Sequence, residues 1–229
     1  MAMMSERTVY LWTGLILALL AITFSKDLAL IYLAMIVLDY ILYKEFQPQV
    51  IVNQVPGNSG KAAMIAAGAY VAFMIIAIII MTVLQFGAVQ KNPTESFFRA
   101  QWQSGANPLN PIFQDNPLFI MISYGLVIPI LETRLTGRFL SVLSNMFRID
   151  INDFRNWKLW AIIILISIAA VIFHLQAKGV TDNVALTLTF VFWIVTCVTI
   201  AITKELESSI ELHIINNSVT VAKNVLHLF

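Results

Sequence analysis

Apolar stretches recur along the whole chain, from Val9 to Phe24, Leu28 to Tyr43, Ala62 to Phe86, Pro117 to Leu131, Leu159 to Phe173 and Val184 to Ile202. A last and more polar stretch runs from Ile210 to Phe229. About 20 apolar residues in a helix cross a bilayer and about 17 set the lower limit, so the shorter stretches borrow flanking residues or stop short of crossing. The pattern predicts an all-α fold: a polytopic membrane helical bundle of six to eight spans, forming a single integral membrane domain over 1–229. Residues 1–61 read as an N-terminal helical hairpin and its following loop.

Composition sharpens this. Hydrophobic residues make up 59% of the chain and charged residues 12%, about half the charged share of soluble domains. The formal net charge is +1 and no basic tail or patch exists, so nucleic acid is not an expected partner. The expected partners are membrane lipid and a membrane-associated peptide or protein. Cys197 stands inside an apolar stretch, where a thiol behaves as a small hydrophobe. Arg7 precedes an apolar core as in a signal peptide, but a second apolar stretch follows at once, which reads as a retained hairpin and fits a prokaryotic plasma membrane.

Two polar connections are long. Gly57 and Gly60 precede Lys61 without the spacing of a phosphate loop, so that segment reads as a plain loop. In the second, Asn92, Pro93 and Glu95 form a helix-start signal, and Phe98 and Trp102 share a face, as in a short interfacial helix, with an ordered loop packed on the protein as the alternative. Trp12, Trp157 and Trp160 stand where an interfacial belt would place them. Ala62 and Ala66 offer small residues for close helix approach. Arg134, Arg138, Arg148, Arg155 and Lys158 concentrate between Leu131 and Leu159, which points that connection toward the cytoplasm, although Arg134 and Arg138 also fit inside the protein.

Ionisable groups at membrane depth are costly and mark function or buried pairing. Asp39 lies near the end of its stretch, five residues before Lys44, and reads as half of a snorkelling interfacial pair. Glu132 follows Pro129, which interrupts the helical hydrogen-bond ladder, and precedes Arg134 and Arg138. A broken helix near Pro129 is therefore expected, with the segment after it turning back to bring Glu132 to the depth of His174; a continuous helix would count against catalysis. A structural Glu–Arg pair is the competing reading of Glu132. His174 closes an apolar stretch. His213 and Asn217 are four apart and share a helical face, so two donors converge, as an oxyanion hole requires. One Glu and two His also make a catalytic zinc set, but HExxH is absent and no spacing favours a metal, so neither metal nor cofactor is expected.

The stretches "PILETRLTGRFL", "AAVIFHLQ" and "HIINN" resemble, in order and separation, the EExxxR, FxxxH and HxxxN motifs of the CAAX prenyl protease and bacteriocin-processing family (CPBP, or Abi) of intramembrane endopeptidases. The likeness covers 117–229. It departs from the family in three places: Thr133 stands at the second glutamate, Gly137 and Arg138 are transposed, and Ala170 occupies the Phe position, with Phe173 beside His174. The resemblance implies that Glu132 and His174 activate a water, that His213 and Asn217 stabilise the oxyanion, and that Arg138 stands in for the motif arginine.

The expected function is a glutamate-dependent intramembrane endopeptidase cleaving a membrane-associated peptide or protein. A catalytically inactive scaffold or partner-binding subunit, retaining the same residues as a buried network, is the alternative. A transporter or proton relay is disfavoured because no pair of broken helices repeats across two halves.

Overall fold

The computed structural model describes residues 33–40, 42, 59–83, 122–177 and 182–225, and these contain helices and no strands. Residues 33–40 are helical. They are followed by α1 (Ser59–Val83), a π-helical turn (Ser123–Val127) that runs directly into α2 (Ile128–Met146), α3 (Trp157–Ala177), α4 (Asn183–Thr203) and α5 (Glu207–Val225). The helix expected at Pro93, the loop around Gly57 and most of the N-terminal hairpin lie outside the described residues.

Three of these helices are long and apolar enough to cross a membrane: Gly60–Val83, Trp157–Leu175 and Asn183–Thr203. The chain is a membrane protein on that ground, but three qualifying helices among the described residues fall short of the six to eight expected. The stretches ending at Leu131 and beginning at Ile210 account for part of the difference. They enter α2 and α5, whose buried faces carry Glu132, Arg138, His213, Asn216 and Asn217. Such helices need protein rather than lipid around them.

The packing supplies it. α5 lies against α1, α2, α4 and the π-turn, while α2 also packs on α3 and α4. α1 buries Ala62, Ala66, Tyr70, Phe73, Ala77 and Met81, a 3.6-period stripe, and exposes Met64, Val71, Ile75 and Ile79. α3 likewise exposes Ile164, Leu165, Ile168 and Ile172, leaving apolar faces for acyl chains. Between apolar helices in lipid, close packing and hydrogen bonds hold the bundle, since chain burial no longer removes surface from water.

Two interfaces carry most of that packing. Phe73 of α1, Phe192 and Trp193 of α4 and Leu212 of α5 form one cluster; Leu140, Ile163, Ile200 and Leu206 form another between α2, α3, α4 and the α4–α5 turn. Gly137 permits the closest approach in the second, because a Cβ there would run into the Leu206 side chain and meet Ile200. Gly137→Val is expected to cost about 1–3 kcal/mol of stability through overpacking. Gly68→Val, with nothing within 4 Å of its Cβ position, serves as the near-neutral control in detergent unfolding.

Local chemistry sets the helix ends. The Asn156 side chain accepts from the Lys158 N–H at 3.1 Å to start α3, and Asp182 accepts from the Ala185 N–H at 2.8 Å to start α4. Trp157 is exposed and the Trp160 indole donates to the Phe154 carbonyl at 2.9 Å, consistent with an interfacial position. Lys204 ends α4 at φ 57°, a left-handed cap more often given to glycine, and its ammonium lies 4.0 Å from Asp150.

Pro129 does not break the helix. The chain is helical from 122 to 146, and the strain of the proline is absorbed by the π-turn just before it. The expected re-entrant segment is therefore corrected to a continuous helix. The reason for expecting a break also dissolves: α2 and α3 pack on one another, joined by the short connection 147–156. Glu132 stands fourteen residues before the end of α2 and His174 seventeen after the start of α3, about 21 and about 26 Å from that connection. An antiparallel hairpin brings both to nearly the same depth without any reversal.

Candidate functional site

A cavity of about 400 Å³ lies between α2, α3 and α4 and the 33–40 segment. Its wall is apolar, with Met35, Leu135, Phe139, Leu165 and Phe173 among the lining side chains, and Glu132, Thr136 and His174 supply its polar groups. Leu165 is exposed on the outside of α3, so one wall of the cavity borders the lipid-facing surface. This composition, apolar walls with a few placed polar groups, is that of a ligand pocket.

The two ionisable groups of the cavity are both buried, Glu132 at 3% exposure and His174 at 6%. The His174 Nδ1 lies 2.8 Å from the Ala170 carbonyl oxygen. A carbonyl only accepts, so Nδ1 carries the proton and donates. In the neutral ring the lone pair then sits on Nε2, making that nitrogen a proton acceptor.

His213 stands on the other side of Glu132. Its Nε2 is 3.7 Å from Glu132 Oε2, and its Nδ1 is 3.1 Å from the Thr133 hydroxyl. Phe192 and Trp193 hold the ring between them, with centroids 4.9 and 5.3 Å away. α5 therefore contributes a brace behind the carboxylate, and His213 does not line the cavity.

Asn217 is placed differently from expectation. Its side-chain N–H donates to the Tyr124 carbonyl at 2.9 Å, and its oxygen accepts from Asn216 at 3.2 Å. In the i→i−5 register of a π-turn the donor due at Tyr124 O is residue 129, and Pro129 has no N–H. Asn217 thus fills a gap that the proline opens, and Asn216 fixes the orientation of its amide. The convergence of His213 and Asn217 on one point, read from their spacing, is not what these side chains make: they share a face but meet different partners. Asn217→Leu is expected to cost about 1–3 kcal/mol by leaving that carbonyl buried without its donor. Pro129→Ala, which restores an N–H, should recover part of the loss in a double-mutant cycle of unfolding free energies.

Arg138 also serves another partner. Its Nε donates to Asp39 Oδ1 at 3.2 Å, and Arg134 Nε donates to Asp39 Oδ2 at 3.3 Å. Asp39 and Arg138 are fully buried, at 0% and 1% exposure. The interfacial pairing expected of Asp39 is therefore corrected to a buried carboxylate clamped by two arginines one turn apart on α2. No sequence spacing announces it, because the partners lie 95 and 99 residues away. Arg138 does not line the cavity; its role in this structure is to tie the 33–40 segment, and with it Met35, onto α2.

Of the five residues the sequence singles out, the structure brings Glu132 and His174 to one cavity, sets His213 against Glu132, and engages Asn217 and Arg138 elsewhere. Among the described residues, no group of three or more His, Cys, Asp or Glu is arranged to hold a metal ion. The chain matches no protein-family model, no curated protein and no solved structure.

Proposed function

We propose that the protein is a glutamate-dependent intramembrane endopeptidase of the CPBP type, acting on a membrane-associated peptide or protein in a prokaryotic plasma membrane. The observation that carries this reading is the presence of Glu132 and His174 on one cavity whose wall, Thr136 apart, is apolar. Two proton acceptors there, the carboxylate and His174 Nε2, suit a water whose hydrogens point at each, leaving an oxygen lone pair for the peptide carbonyl. Glu132 takes one proton as the C–O bond forms, and returns it to the nitrogen as the C–N bond breaks. The oxyanion role that the resemblance assigns to His213 and Asn217 requires both to exchange their present partners for the substrate oxygen, so the proposal rests on Glu132 and His174.

A second reading, a non-catalytic scaffold, is favoured by two observations: Arg138 is committed to Asp39, and Asn217 to the Tyr124 carbonyl. The experiment that separates the two is reconstitution in liposomes with a library of membrane-associated peptides, read by mass spectrometry. Cleavage products that disappear in Glu132→Gln support the peptidase. Intact peptides throughout, together with a partner retained equally by wild type and Glu132→Gln, support the scaffold.

A further inference from the structure

The Thr133 hydroxyl is fully buried, at 0% exposure, and lies 3.1 Å from His213 Nδ1. A buried hydroxyl hydrogen left without an acceptor costs free energy, and Nδ1 is the acceptor this hydroxyl has within reach. If the ring nitrogen donated instead, the threonine hydrogen would have to go elsewhere in a site closed by Phe192 and Trp193.

We infer that Thr133 is a positioning residue: by donating to Nδ1 it fixes His213 as the tautomer protonated at Nε2, whose N–H then faces the Glu132 carboxylate. The facing atoms are His213 Nε2 and Glu132 Oε2, 3.7 Å apart, a distance that a small shift of either side chain closes to a hydrogen bond. A neutral imidazole in this tautomer offers the carboxylate a donor while taking no proton from it. Glu132 is thereby held and oriented from behind as it faces the cavity in front.

The position is chemically informative. A carboxylate at residue 133, acceptor only, would demand the proton on Nδ1, and a neutral ring would then turn its Nε2 lone pair toward Glu132. A threonine permits the opposite arrangement. The catalytic consequence rests on Glu132 acting as base; the tautomer does not.

The test is nitrogen NMR of the full chain in nanodiscs with ¹⁵N-histidine. The chain has three histidines, so His213 is assigned by the signals lost in His213→Gln. The wild type is expected to show His213 protonated at Nε2, Thr133→Ser to keep that signature, and Thr133→Val, similar in volume but without the hydroxyl, to lose it. A wild-type ring protonated at Nδ1 overturns the inference even if the valine variant does not fold, as does a Thr133→Val spectrum identical to wild type. In a cleavage assay Thr133→Val should lower kcat about 10-fold with KM unchanged and Thr133→Ser should restore it, a change of about one hydrogen bond. An Nε2-protonated His213 with no cleavage of any peptide removes the peptidase reading and leaves the role of Thr133 at His213 standing.

Discussion

Asp39→Leu is expected to destabilise the protein by about 3–5 kcal/mol, the loss found when one partner of a buried ion pair is removed. The variant takes a carboxylate from between Arg134 and Arg138, and Arg138 is among the largest fully buried side chains of the molecule. Guanidiniums hold their charge at any accessible pH, so they cannot escape by neutralising. The link between the 33–40 segment and α2 goes with it, and Met35 should lose its place on the cavity wall. Replacing the arginines as well, in Asp39→Leu/Arg134→Leu/Arg138→Met, should recover most of the stability, because apolar groups of similar volume stand in for buried ion pairs at little cost. Unfolding in detergent or bicelles reads both results. A loss below about 1 kcal/mol in the single variant would mean that the triad behaves as an exposed pair.

Glu132→Gln should leave the fold intact and reduce cleavage by about 10²–10⁴-fold, the contribution of a positioned general base. Glutamine keeps the shape and can still meet His213, but it cannot take the proton from water. His174→Ala removes the second acceptor. If both hold the same water, the double variant should be little worse than either single one, as expected of groups that work as a unit. Additive losses would place the two residues in separate steps.

Much of the architecture was readable because lipid imposes long apolar helices: α1, α3 and α4 fall on the stretches from Ala62, Leu159 and Val184. Among the described residues, the stretches that enter α2 and α5 were less legible as spans, since they read as apolar at their edges but carry charge and amide groups on the faces they bury. Glu132, His174 and His213 stood out as ionisable groups at membrane depth, and of these His213 stands beside the Glu132 carboxylate while His174 shares its cavity. The errors share a cause. The partners of Asp39, Arg138 and Asn217 are brought in by tertiary packing from 93 to 99 residues away, and local spacing carries no trace of them. Pro129 misled in a related way: its missing N–H was legible, but the remedy, a π-turn with Asn217 reaching in from α5, is supplied by another helix. Thr133 drew attention in the sequence only through a resemblance, and its contact with His213 is supplied by a helix 80 residues away.

The most direct test of the central claim is cleavage in water enriched in ¹⁸O, with products weighed by mass spectrometry. Hydrolysis should leave one ¹⁸O in the new carboxylate of the N-terminal fragment, and if Glu132 is the base that labelled product should form about 10²–10⁴-fold more slowly in Glu132→Gln. Cleavage that continues undiminished in Glu132→Gln, or a wild type that leaves every membrane-associated peptide whole, would contradict the account.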